Sequence, residues 1–118
     1  MQDNSRAFVS HVDANSYEPF PLEDVKAGNP RPEVAWLRAE TEGGSVLYAG
    51  LFRAQPSTFG YVYAGHELFH VLDGEVEIRL ENGEVINLRA GDIASFKKGD
   101  KSTWKIASPF KKFFVINS

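Results

Sequence analysis

The sequence of 118 residues contains no cysteine, and this absence excludes several kinds of site. Disulfide frameworks, thiolate zinc sites and cysteine nucleophiles all need that side chain. No apolar run approaches the roughly 18 residues that cross a bilayer. The first ten residues, MQDNSRAFVS, lack the basic start and apolar middle of a secretory signal. We therefore expect no membrane partner and a cytoplasmic location.

An excess of basic charge is also missing. Thirteen Lys and Arg residues stand against 16 Asp and Glu residues, for a formal net charge of −3. The basic residues form no long block that would suit a phosphate backbone, so we expect no nucleic-acid partner. No stretch of the chain has the periodicity of a long amphipathic helix.

Apolar residues make up 42% of the chain and charged residues 25%, as in ordinary globular domains. Nine Phe, four Tyr and two Trp residues favour strand faces. About nine short apolar runs follow residue 34, separated by turn residues. This pattern predicts an all-β fold, either a double-sheet jelly roll or a small barrel, with room inside for side chains or one small ligand.

The glycine turns predict how neighbouring strands pair. We expect residues 67–72 and 75–80 to form a hairpin around Asp73-Gly74. Residues 85–88 should pair with the strand before Asn82-Gly83.

The start of the chain is rich in proline, which predicts an irregular N-terminal arm over residues 1–33 and a single barrel domain over residues 34–118. Within the arm, residues 8–12 are compatible with an edge strand. Residues 21–25 are compatible with one helical turn that begins at a proline.

Strand alternation predicts which side chains face the interior. Glu67 has the same parity as Tyr61, Tyr63 and Phe69, so we expect its carboxylate to point inward. The neighbouring imidazoles have the opposite parity and should face outward: His66 and His70.

Two segments, GYVYAGHELFHVLDGEVEIRLENG at 60–83 and AGDIASFKKGDKSTWKIASPFKKFFVI at 90–116, resemble the two motifs of the cupin superfamily. The resemblance is closer to small single-domain cupins that are similar to ureidoglycine aminohydrolase and to the ethanolamine-utilisation cupin. The resemblance implies a cupin-type double-stranded β-helix, which is a jelly-roll barrel, over about residues 34–116.

Metal-binding cupins carry two His separated by one residue, a Glu four positions later and a further His in the second motif. This chain has Tyr61, Tyr63, Glu67 and Ser102 at those positions. Neutral phenols are poor metal ligands, so the resemblance and the residues together disfavour a divalent metal at the inherited site. A β-bulge at Gly65 would turn His66 inward, and any metal would then be held by Glu67 and that imidazole.

The same registration implies a ligand pocket in the barrel. For Tyr61, Tyr63 and Trp104, aromatic packing in the core is the alternative role. A serine without an inward histidine has no base to activate it, so we assign no catalytic residue. The side chain of Lys112 has two possible orientations: it points its ammonium at Glu67, or it extends to the rim of the barrel. The predicted ligand-binding residues are Tyr61, Tyr63, Glu67, Ser102, Trp104 and Lys112.

Three functions follow as hypotheses, and enzymatic activity is left open by the residues. The first is binding of a small polar molecule in a metal-poor pocket. The second is a metal-dependent aminohydrolase similar to ureidoglycine aminohydrolase. The third is a homodimeric scaffold that buries the outer face at Leu68, His70 and Leu72.

Overall fold

The structure is a computed structural model that describes residues 7–118. These residues form eleven strands, and no helix among them is long and apolar enough to cross a membrane. The strands are β1 (Glu18–Pro19), β2 (Asp24–Gly28), β3 (Glu33–Glu42), β4 (Ser45–Ala54), β5 (Ser57–Val62), β6 (His66–Asp73), β7 (Glu75–Leu80), β8 (Val85–Arg89), β9 (Ile93–Phe96), β10 (Lys101–Ile106) and β11 (Phe110–Asn117).

The strands form two antiparallel sheets that face each other. One has the order β1-β3-β4-β11-β6-β9 and the other has the order β2-β5-β10-β7-β8. Buried apolar residues from both sheets form one core between them. The predicted all-β jelly roll is therefore confirmed, and the core is the place where an enclosed site can exist.

Alternation along β6 and β11 produces the inner face of the six-stranded sheet. In β6, Glu67, Phe69 and Val71 are buried, while the residues between them are exposed or half-buried. The two strands pair in antiparallel register, with Phe69 opposite Phe114 and Glu67 opposite Ile116. Side chains of one parity on each strand therefore share the interior.

The predicted hairpin at Asp73-Gly74 is wrong. β6 pairs with β11 and β9, whereas β7 pairs with β10 and β8, so this turn carries the chain from one sheet to the other. Gly74 has φ +86°, and a Cβ atom there would clash with the carbonyl of Pro109. The turn needs glycine because another part of the backbone passes close by. The pairing of β7 with β8 across Asn82-Gly83 is confirmed.

The N-terminal arm is more ordered than its proline content predicts. β1 adds to β3 and β2 adds to β5, so the arm contributes an edge strand to each sheet. Residues 21–25, which are compatible with a helical turn in sequence, form none, since β2 begins within that stretch. Residues 8–12 form no strand, and the first six residues of the predicted arm lie outside the described part of the chain.

Candidate functional site

Two oppositely charged side chains meet inside the barrel. Glu67 projects from β6 and Lys112 from β11, and their side chains are only 1% and 6% exposed. The Lys112 Nζ lies 2.6 Å from the Glu67 Oε2. Burial of either charge alone would cost several kcal/mol, so each charge compensates for the burial of the other.

Tyr61, at the end of β5, extends this pair into a chain of three polar groups. Its hydroxyl donates a hydrogen bond to the Glu67 Oε1, with 3.0 Å between the oxygens. Both carboxylate oxygens of Glu67 therefore accept a hydrogen bond from a protein donor. We call Tyr61, Glu67 and Lys112 the buried polar chain.

Aromatic rings surround the ammonium group of Lys112. The Nζ lies 4.5 Å from the centroid of the Phe69 ring and 4.6 Å from that of the Trp104 ring. Three further ring centroids lie 5.1 to 5.9 Å away, and they belong to Phe52, Phe114 and Tyr61. The rings separate the ammonium from bulk water, and their π faces attract the positive charge. We call these five side chains the aromatic cage.

Burial shifts the pKa values of the groups in this interior. It lowers the pKa of Lys112, and the nearby Glu67 carboxylate opposes that shift. Burial raises the pKa of the Tyr61 phenol, which the charge of Glu67 raises further. Burial also raises the pKa of Tyr63. The phenols therefore stay protonated, and the lysine can lose its proton more easily than a surface lysine.

Tyr63, Trp104 and Ser102 form the wall beside the buried polar chain. The Trp104 Nε1 donates to the Tyr63 hydroxyl at 3.2 Å, and the Tyr63 ring stacks on Phe96 with centroids 4.8 Å apart. The Ser102 hydroxyl donates to the backbone carbonyl of Tyr61 at 2.8 Å. These polar atoms are partnered within the protein, so their contacts position the strands and the Tyr61 side chain.

A small cavity and a larger groove share part of their lining. The cavity, of about 20 Å³, touches Tyr61, Glu67 and Lys112. The groove, of about 820 Å³, is lined mainly by the arm, β2, β5 and β10. The cavity has room for about one water molecule, whereas the groove can hold a small organic molecule. The side chains that line both spaces are Phe20, Leu22, Tyr61 and Ile116.

The donor set does not fit the divalent metal that the cupin resemblance implies. Both oxygens of Glu67 accept hydrogen bonds, and the Lys112 ammonium stands 2.6 Å from one of them. A second cation there would meet that positive charge at close range. The part of the chain that the structure describes contains no group of three His, Asp or Glu side chains arranged to hold a metal.

The structure brings together some of the predicted site residues and separates others. The predicted inward orientation of Glu67 is confirmed by its burial, and its roles in binding stay predictions. His66 and His70 are exposed on the other face of β6, as their parity predicts. The His66 Nδ1 accepts a hydrogen bond from the Lys98 backbone N–H at 3.2 Å, and no bulge turns this ring towards Glu67.

Sequence reasoning missed the two arm residues that line both the cavity and the groove, Phe20 and Leu22. Phe20 packs edge-on against Phe52 with centroids 5.7 Å apart, and its N–H donates to the Pro32 carbonyl. Leu22 lies between β1 and β2. Neither residue is in a strand, so alternation carries no information about its direction. The only signal in the sequence for a role of this segment was that Phe20 stands between two prolines.

Comparison with known families identifies the fold and its relatives. The family model of the EutQ-like cupin domain matches residues 41–114, which is well over half of the chain. The chain belongs to this family. The match covers β4 to β10 and most of β11, including every residue of the buried polar chain.

Solved structures of other cupins are similar to this one. A DUF861 family protein from Thermotoga maritima is 29% identical, with 56% of this chain and 75% of that chain covered and a TM-score of 0.55. A putative ethanolamine utilization protein Q from Salmonella typhimurium is 26% identical, with 72% and 68% covered and a TM-score of 0.62.

A longer DUF861 family protein from Pseudomonas syringae shares the fold over more of this cupin. Its TM-score is 0.75 at 20% identity, with 90% of this chain and 46% of that chain covered. This chain therefore spans about half the length of that protein. No curated protein matches the sequence. The comparisons establish a cupin of the EutQ and DUF861 type, and the geometry of the site is the basis for any statement about its ligand.

Proposed function

We propose that this cupin binds a small molecule with an apolar body and one oxygen acceptor, which is a carbonyl or carboxylate group. The observation that carries the proposal is the Lys112 ammonium, which is buried next to a cavity in the barrel. An ammonium group has three N–H donors, and Glu67 accepts one of them. A ligand oxygen is the group that best satisfies a second donor.

The surroundings of the ammonium support an apolar ligand body. Most of the cavity lining is aromatic or aliphatic, and the polar atoms belong to the buried polar chain. Binding sites for small molecules commonly combine an apolar lining with a few polar groups that set orientation. A free amine is a poor ligand here, because it needs an acceptor and both Glu67 oxygens already accept hydrogen bonds.

Access to the cavity runs through the groove at the barrel mouth. Phe20 and Leu22 line both spaces, so a ligand in the groove reaches Lys112 when these arm side chains move aside. They lie on a short segment between two edge strands, which has fewer constraints than the sheets. The body of the ligand would then occupy the groove and its oxygen the cavity.

Matched four-carbon compounds test this proposal. We expect butanoate and butanal to bind and butylamine not to bind, measured by ligand-observed NMR with the whole protein. Binding should disappear in Lys112→Met and persist in Lys105→Met, since Lys105 lies exposed on β10. In the unsubstituted protein, the indole N–H signal of Trp104 should shift on binding. Preference for butylamine, or no dependence on Lys112, would contradict the proposal.

The aminohydrolase hypothesis has less support from the site. It needs a bound divalent ion as a Lewis acid, and the donor set around Glu67 does not fit such an ion. We therefore derive no metal-dependent step for this chain.

A homodimer is a second candidate function, favoured by apolar side chains on the outer face of the six-stranded sheet. Leu68 on β6 is 48% exposed and Ile93 on the edge strand β9 is 74% exposed. We propose that a second copy of this chain covers them, because a two-fold interface needs only one self-complementary patch. Sedimentation should show a dimer that Leu68→Lys and Ile93→Lys dissociate. A monomer at high concentration would remove this candidate.

A further inference from the structure

The buried polar chain contains the groups that imine chemistry needs. An amine becomes a nucleophile when burial favours its neutral form, and a partner must carry protons during the reaction. The Lys112 Nζ has such a partner in the Glu67 carboxylate, 2.6 Å away. The Tyr61 hydroxyl donates to the other oxygen of the same carboxylate. Nucleophile, proton carrier and phenol are therefore in direct contact.

We propose that Lys112 captures a small aldehyde or ketone as a reversible imine inside the barrel. This inference rests on the proposed binding function and names the ligand class as carbonyl compounds. It assigns a covalent role to the side chain that the proposed function uses as a hydrogen-bond donor.

The reaction balances within the polar chain. Lys112 first passes a proton to Glu67, and the amine lone pair then attacks the carbonyl carbon to form a carbinolamine. Glu67 moves a proton from the nitrogen to the oxygen and protonates the hydroxyl group, which leaves as water. The products are a protonated imine, the Glu67 carboxylate and one water molecule. Every proton of the original ammonium is accounted for, and the ion pair is restored as an iminium with a carboxylate.

The aromatic cage favours this outcome for two reasons. Exclusion of bulk water favours the imine over its hydrolysis, because water is a reactant in the reverse step. The π faces of Phe69 and Trp104, at 4.5 and 4.6 Å from the nitrogen, attract an iminium as they attract an ammonium. Burial lowers the pKa of Lys112, which adds to the supply of neutral amine.

The shape of the two spaces limits which carbonyl compounds fit. The cavity of about 20 Å³ accepts the reacting carbon and little more, so the rest of the molecule must extend past Phe20 and Leu22 into the groove. A terminal aldehyde on an unbranched apolar chain meets this requirement best. A bulky group on both sides of the carbonyl would not.

Reductive trapping tests the proposal on the whole protein. Butanal is added near neutral pH with sodium cyanoborohydride, which reduces an imine to a stable secondary amine, and peptide mapping locates the adducts. We expect Lys112 to be labelled at least about tenfold faster than the exposed Lys105, because the Lys112 amine is buried and its nitrogen lies 2.6 Å from a carboxylate oxygen. In urea the preference should disappear.

Variants separate the roles of the groups. Glu67→Gln should slow labelling of Lys112 by about a hundredfold, because the amide cannot carry the proton. Lys105→Met should leave labelling at Lys112 unchanged, and circular dichroism checks that each variant is folded. If a variant does not fold, the adduct map of the unsubstituted protein still decides the question.

The outcomes distinguish this inference from the binding function. Adducts spread over exposed lysines, with Lys112 unlabelled, would overturn the imine. If butanal nevertheless binds in the NMR experiment without reductant, the proposed binding function still holds and only the imine proposal fails. If butanal neither binds nor labels Lys112, both proposals fail.

Discussion

The ion pair inside the barrel and the pairs on its surface use the same chemical groups in opposite surroundings. Lys112 and Glu67 are 6% and 1% exposed, whereas Arg53 and Glu33 are 45% and 37% exposed at a similar separation of 2.9 Å. The surface pair shares its charges with water and contributes little to stability. The buried pair has only its partners, so the loss of one group leaves an uncompensated charge.

The difference suggests a use for the buried pair beyond stability. An apolar pair of similar volume would stabilise a barrel core as well or better. A charged pair beside a cavity is instead a typical arrangement of a binding or reactive site. The following predictions test how far the interior and the surface differ.

The largest expected effect is on the free energy of unfolding when one carboxylate is neutralised. Glu67→Gln should lower it by about 3–5 kcal/mol, because Lys112 loses its buried counter-charge. The matched surface change, Glu33→Gln, should cost no more than about 1 kcal/mol. Urea denaturation of both variants measures the contrast.

The double variant Glu67→Gln with Lys112→Met controls for the fold. It should be more stable than Glu67→Gln alone, since no buried charge remains. Equal losses from Glu67→Gln and Glu33→Gln would show that the interior pair is as well solvated as the surface pair.

The next effect appears at alkaline pH and comes from the buried phenols. Burial raises the pKa of Tyr61 and Tyr63 above the ordinary value of 10.0, so the unfolded chain loses these protons first. Stability should therefore fall as pH rises above 10, by about 1.4 kcal/mol per pH unit for each phenol. Urea denaturation at several alkaline pH values measures this slope.

The contribution of Lys112 to the pH dependence of stability has the opposite sign, and it ends at a lower pH than that of the phenols. Its folded pKa is lowered, so its contribution to stability rises with pH only up to the ordinary value of 10.5. Measurements above that pH isolate the phenols. Replacing both with phenylalanine should flatten the decline, and an unchanged slope would mean that these phenols ionise freely in the folded protein.

A smaller effect is expected when the wall of the site loses one hydroxyl. Tyr63→Phe removes the acceptor of the Trp104 N–H and should cost about 1–3 kcal/mol, because a buried donor is left unpaired. Thermal unfolding measures it. Tyr48→Phe is the control, since Tyr48 is only half-buried on β4. A loss no larger than that of the control would show that water replaces the hydroxyl.

The smallest expected effect is that of metal removal. Treatment with a chelator should leave the thermal midpoint unchanged, because the donor set around Glu67 already contains its cation in Lys112. Metal analysis before and after treatment completes the measurement. Stoichiometric zinc, manganese or nickel that is lost together with stability would contradict this reading of the site.

Sequence alternation predicted the interior of the barrel well. It placed Glu67 with Phe69 inside and His66 with His70 outside, because side chains on a regular strand point to alternate faces. Pairing was predicted less well. The turn at Gly74 looks like a hairpin turn in sequence, but it joins two sheets, because β6 pairs with β11 and β9 whereas β7 pairs with β10 and β8.

The sequence by itself determined the all-β architecture and the inward carboxylate, and its resemblance to cupins implied the loss of the usual metal-ligating histidines. Only the tertiary structure decided that Lys112 takes the ammonium to Glu67 instead of to the rim, and that Phe20 and Leu22 close the cavity. The physical reason is that alternation is a local property of one strand. The meeting of β5, β6, β11 and the arm depends on how distant segments pack.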